Sequence, residues 1–118
     1  MEGLMMKLKE ETIFLTIVGD SSRNRLLEFM IEGREMNFLM SDIARGSSLQ
    51  RNTCYVIMKK LVKQGIIIKL KTKKKHWRKY IQYRINQDNP SSRILIKCFD
   101  YGINQVMEKK IQQKQSNK

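Results

Sequence analysis

The stretch that most constrains this chain is LQRNTCYVIMKKLVKQGIIIKLKTKKKHWRKYIQYRI, residues 49–85. Cys54, Ile57, Met58 and Leu61 fall at i, i+3, i+4 and i+7, so they share one face of a helix that should pack into a core. The pattern predicts a helix from Gln50 to Gln64, stopped by Gly65. A β-branched run, Ile66 to Thr72, follows at once. In it Ile66, Ile68 and Leu70 alternate with Ile67, Lys69 and Lys71, the period of two of a half-buried strand. A second strand-like run, Trp77 to Ile85, puts Ile81, Tyr83 and Ile85 on one face and Arg78, Tyr80, Gln82 and Arg84 on the other. The tip between them, Thr72 to His76, has no Asn-Gly pair for a tight turn and predicts a longer loop.

Charge gives this helix and hairpin a partner class. From Arg51 to Arg84 there are twelve Lys and Arg and no Asp or Glu. A surface shaped only for solubility mixes both signs. Residues 1–48 carry a net charge of −2 and residues 49–118 a net +15, so an anionic partner should meet the second half. Duplex DNA carries one charge per about 1.7 Å of axis and rewards such a patch by counterion release. A membrane surface is also anionic, so charge alone does not name the partner.

The polar face of the expected helix sharpens the choice. Arg51, Asn52, Tyr55, Lys59 and Lys63 fall on it. A helix of about 15 residues is roughly 22 Å long, and the DNA major groove, about 12 Å wide, admits such a cylinder. Gln50, Arg51, Asn52 and Tyr55 lie at its start, where base edges are usually reached. Arginine pairs bidentately with guanine, and Asn or Gln with adenine. The plain alternative is a solvated polar face on an ordinary amphipathic helix. On the hairpin the candidate DNA contacts are Lys71, Lys73, Lys74, Lys75, His76 and Arg78. Trp77 either stacks on nucleic acid or anchors the hairpin.

Other features remove competing classes. A chain of 118 residues holds one modest core. No run of about 18 apolar residues predicts a membrane span, and the start, MEGLMMKLKEE, does not read as a signal peptide. Cys54 and Cys98, far apart and with a single histidine, give no zinc-ligand spacing and read as reduced, buried thiols of a cytoplasmic protein. There is no phosphate-binding glycine loop and no Ser/His/Asp set, so the chain reads as a non-enzyme with no cofactor, metal or evident small-molecule ligand.

The flanks complete the plan. Thr12 to Val18, TIFLTIV, reads as an edge strand or as the end of a helix. After Gly19, Asp20 or Ser21 caps a helix to about Glu32, with Leu26, Leu27, Met30 and Ile31 as its stripe and Gly33 as its stop. Met36 to Met40 reads as a link with apolar plugs. Ser41 is expected to cap a brief helix before the Gly46-Ser47-Ser48 turn. Asn89-Pro90 opens a last helix to about Gln112. Its stripe of Leu95, Phe99, Ile103 and Val106 either packs in its own domain or pairs with a second copy as a dimerisation element.

From Val18 onward the sequence is similar to small winged helix-turn-helix transcription regulators, especially those of archaea and their plasmids and viruses. The carrying residues are VGDSSRNRLLEFMIEG, then SDIARGSSLQRNTCYVIMKKLVKQGII, then YRINQDNP, and the likeness spans about four fifths of the chain. It implies a mainly α fold with a small β-hairpin: an amino-terminal extension over 1–18, a winged helix-turn-helix over 19–88 and a carboxy-terminal helix over 89–115. It implies a homodimer on double-stranded operator DNA, with Arg51, Asn52, Tyr55 and Lys59 facing the major groove and Lys73 to Arg78 the minor groove or backbone. This chain departs from metal- or ligand-sensing relatives in lacking a Cys/His cluster. The competing reading is a non-catalytic winged helix that binds protein or RNA, or a plasmid or viral replication protein.

Overall fold

The computed structural model describes residues 12–71 and 81–116, with side chains to residue 111. The undecided run at Thr12 is helical: α1 spans Ile13–Val18, and the Thr12 hydroxyl accepts the Leu15 N–H at 3.1 Å. Phe14 and Leu15 enter the core, so packing overrides the weak helix propensity of this β-branched segment. Helix α2, Ser22–Glu32, is capped by the Ser21 hydroxyl, which accepts the Asn24 N–H at 3.1 Å. Asp20, the other cap candidate, instead holds Arg25 at 2.6 Å. Leu26, Leu27, Met30 and Ile31 are fully buried, the stripe that the spacing predicts.

The helix-turn-helix is α3, Met40–Gly46, followed by α4, Arg51–Lys63. The expected Ser41 cap is overturned. The helix starts two residues earlier than that cap would set it, Leu39 is the cap residue, and the Asp42 carboxylate accepts the Leu39 N–H at 3.1 Å. A Cβ on Gly46 would stand 2.0 Å from the Phe29 ring, so α3 lies on α2 at a separation that only glycine permits. Cys54, Met58 and Leu61 of α4 are buried and Ile57 is half-buried. Gly65 ends the helix at φ +78°, a left-handed conformation that explains the stop.

Strands β1, Ile67–Lys71, and β2, Ile81–Ile85, pair antiparallel, from Ile67 opposite Ile85 to Lys71 opposite Ile81. The alternation in β1 is shifted from expectation. Ile66 and Ile67 are both buried, and Ile67 joins Tyr83 and Ile85 on the inner face, leaving Ile68 and Leu70 half-buried opposite Arg84 and Gln82. The expected link at Met36–Met40 carries an unforeseen third strand of one residue. Phe38 and Tyr83 exchange two backbone hydrogen bonds of 2.8 Å. The hairpin tip, with Lys73, Lys74, Lys75, His76, Trp77 and Arg78, lies outside the described residues.

Helix α5, Pro90–Ser116, runs further than the sequence indicates, and its 27 residues are about 40 Å long. The Asn89 side-chain oxygen accepts the N–H groups of Ser91 and Ser92 at 2.9 and 3.3 Å, the cap that the Asn-Pro pair predicts. The buried Ser92 hydroxyl donates to the Ile66 carbonyl at 3.2 Å, tying the helix start to the hairpin root. Leu95 and Phe99 pack on their own chain, Phe99 meeting Phe14 edge-on at 6.1 Å, and Gly102 is buried against Ile13. Beyond that contact Ile103, Val106, Met107 and Ile111 are about half exposed.

Candidate nucleic-acid interface

Burial of one side of α4 fixes what the other side presents. With Cys54, Met58 and Leu61 held in the core, Arg51, Asn52, Tyr55, Lys59 and Lys63 are all exposed, Tyr55 to 59%. Gln50 occupies the cap position without a side-chain capping bond, and no acidic residue lies in the first turn. The uncapped N–H groups there carry the positive end of the helix dipole and suit a phosphate. Lys60 and Lys63 sit in the last turn, where positive charge favours the helix itself.

The hairpin root joins this face. A cavity of about 140 Å³ lies where Tyr55 and Lys59 of α4 meet Lys69 and Tyr83 of the hairpin, floored by Met40 and Met58. Two lysines and two tyrosines thus line one cavity, residue types whose chemistry suits an anion or a flat ring. Lys69 is a candidate contact that sequence reading passes over in favour of Lys71. The signal was present: Lys69 shares a strand face with Lys71, and the register sets it opposite Tyr83. Arg84 lies elsewhere, on the outer face of the hairpin in a pocket with Glu35 and Asp88.

The surface keeps its charge. The ion pairs among the described residues join Arg25 to Asp20, Arg34 to Asp100, Arg45 to Asp42 and Arg93 to Asp88. None uses a basic residue of α4 or β1, so Arg51, Lys59, Lys63, Lys69 and Lys71 are not neutralised from within those residues. Burial pushes the Cys54 thiol and the Tyr83 phenol up from their ordinary values, and nearby Tyr55 and Cys54 add to the effect on Tyr83. Both groups therefore stay neutral, and Cys54, with its sulfur 3.6 Å from that of Met40, is a packing residue.

Among the described residues no group of three or more His, Cys, Asp and Glu is placed to hold a metal ion, and no helix is long and apolar enough to cross a membrane. Of the four residues expected to dimerise, Leu95 and Phe99 are partly occupied within the chain, whereas Ile103 and Val106 are 46% and 43% exposed.

No protein-family model and no curated protein matches the chain. Solved structures do. A possible transcriptional regulator from Methanosarcina mazei Go1 superposes with a TM-score of 0.55 at 12% identity, over 80% of this chain and 78% of that one. S. aureus MepR bound to ethidium bromide gives 0.55 at 15% identity, over 80% of this chain and 64% of MepR. NadR in complex with 4-hydroxyphenylacetate gives 0.57 at 15% identity, over 91% and 70%. At such identities the likeness is one of fold, and the fold is a winged helix-turn-helix with an added carboxy-terminal helix.

Proposed function

We propose that this protein is a sequence-specific, double-stranded DNA-binding transcriptional regulator without catalytic activity. Helix α4 enters the major groove, where Gln50, Arg51, Asn52 and Tyr55 meet base edges and Lys59 and Lys63 meet phosphates. The hairpin follows the backbone or the minor groove through Lys69 and Lys71, and through Lys73, Lys74, Lys75, His76 and Arg78 at its tip. Two copies joined through α5 present two such helices to a palindromic site, with half-sites about 34 Å apart.

The observation that carries this reading is the exposed face of α4, whose cations have no ion-pair partner among the described residues while its opposite side is locked in the core. Similarity to a possible transcriptional regulator supports the same reading. The test is selection of bound sites from a random duplex pool. A recovered palindrome is the expected result. Absence of any enrichment, together with capture of RNA or protein, moves the assignment to a winged helix of the other class.

A further inference from the structure

Val56 stands at the centre of the exposed face of α4, with 54% of its surface open. At about 100° per residue, the buried Cys54, Met58 and Leu61 lie roughly 140–160° round the helix from it. Within about 60° of it on the same face are Asn52, Thr53, Lys59, Lys60 and Lys63, all exposed and all polar or cationic. A valine there serves the helix itself poorly, because its β-branch lowers helix propensity and its methyl groups meet water. Val56 is also the sixth residue of α4, inside the first two turns, the part of a recognition helix that reaches base edges. A helix laid in the major groove turns the centre of its exposed face to the groove floor and its flanks to the phosphate walls. The flanks here suit the walls, since Lys59 and Lys60 have no ion-pair partner among the described residues. The floor presents hydrogen-bonding atoms, and its one methyl group is the C5-methyl of thymine.

We propose that Val56 is a specificity-determining residue that reads a thymine by packing its methyl groups on the C5-methyl, one or two base pairs from the adenine that Asn52 pairs with. Asn52 precedes Val56 by four residues, about 6 Å along the helix, and successive bases are about 3.4 Å apart. The amide and the isopropyl group point within about 40° of each other, so they address neighbouring base pairs. The inference rests on the base-reading assignment of α4 and gives it part of a half-site: an adenine and a thymine in adjacent or next-adjacent pairs. A contact of this kind favours DNA over RNA, because the uracil of RNA carries no C5-methyl.

The test uses the full-length chain and the duplex enriched from a random pool, with each thymine replaced in turn by deoxyuridine, which removes the methyl and nothing else. At one position per half-site the replacement should weaken binding of the unmodified protein about fourfold, the worth of one buried methyl. Val56→Ser changes an exposed side chain and leaves the core intact. It should bind the thymine duplex more weakly than the unmodified protein does and should no longer distinguish that duplex from its uracil counterpart. If every uracil duplex binds as the thymine duplex does, Val56 reads no methyl. A loss on replacement that is as large in Val56→Ser as in the unmodified protein assigns the methyl to another side chain. Either result overturns the inference and leaves the DNA-binding assignment standing. A pool that yields no enriched duplex overturns the inference and the sequence-specific reading together.

Discussion

Arg34 and Asp100 join the loop after α2 to the middle of α5 through two hydrogen bonds of 3.1 and 2.6 Å. The Gln87 amide reaches the Arg34 carbonyl at 3.3 Å and the Glu35 carboxylate at 3.2 Å, so the hairpin base meets the same point. The hydrogen bond to Arg34 holds the Asp100 carboxyl below the ordinary carboxylate range, and its partner raises the guanidinium in turn. A depressed folded value means that the bridge stabilises the protein above the unfolded carboxyl pKa, about 3.9, and that this contribution fades as pH falls through the folded value. Asp100→Asn should cost about 0.5–1 kcal/mol at pH 7, since the pair is partly exposed but bidentate. The difference from the unmodified protein should shrink below about pH 4. Chemical denaturation at both pH values reads it, and an equal loss at both would remove the bridge from the account.

Gly46→Ala should destabilise the fold by about 1–3 kcal/mol, because the added methyl meets the Phe29 ring. That ring is itself packed at a tilt against Phe38, with centroids 4.8 Å apart, and has little room to retreat. Thermal unfolding checks it. A variant as stable as the parent would mean that α2 and α3 are looser than their contact implies.

The two cysteines should differ in reactivity. Cys54 is fully buried with its thiol pushed up by desolvation, whereas Cys98 is only partly covered. In the native protein an alkylating reagent should label Cys98 first and Cys54 at the rate of unfolding. Equal labelling of both would contradict the burial of the α4 inner face.

Asn52→Ala and Lys59→Ala should fail in different ways. Asn52 is an exposed amide in the first turn of α4 and a candidate for an adenine edge. Its loss should cost about 1–3 kcal/mol on the selected site and relax specificity. Lys59, beside Lys69 in the cavity at the hairpin root, is a phosphate candidate. Its loss should weaken all sequences alike and lower the salt slope by about one. Equal losses for both variants on random and selected DNA would mean that Asn52 reads no base.

How much was legible depended on how many solutions each pattern allowed. Helices α2 and α4 show in the sequence because a four-residue stripe at helical spacing, ended by glycine, has few other readings. TIFLTIV is ambiguous because its β-branched residues suit a strand, and only the Thr12 cap and the core sites for Phe14 and Leu15 make it helical. The phase of β1 is hidden by three consecutive isoleucines, Ile66 to Ile68, which satisfy either alternation. Phe38 pairs through one residue, too short for any period. The α5 stripe is plain, but a stripe does not state its partner. Leu95 and Phe99 are partly taken up within the chain, which makes Phe99→Asp a poor probe of association and Ile103 and Val106 the better ones.

The central claim, that the cationic face of α4 and the hairpin meets duplex DNA, is tested most directly by affinity as a function of salt. If six to ten phosphates are engaged, binding should weaken by roughly 10³- to 10⁵-fold between about 50 and 200 mM salt, with a linear log–log plot. A nearly flat plot over that range would contradict the claim.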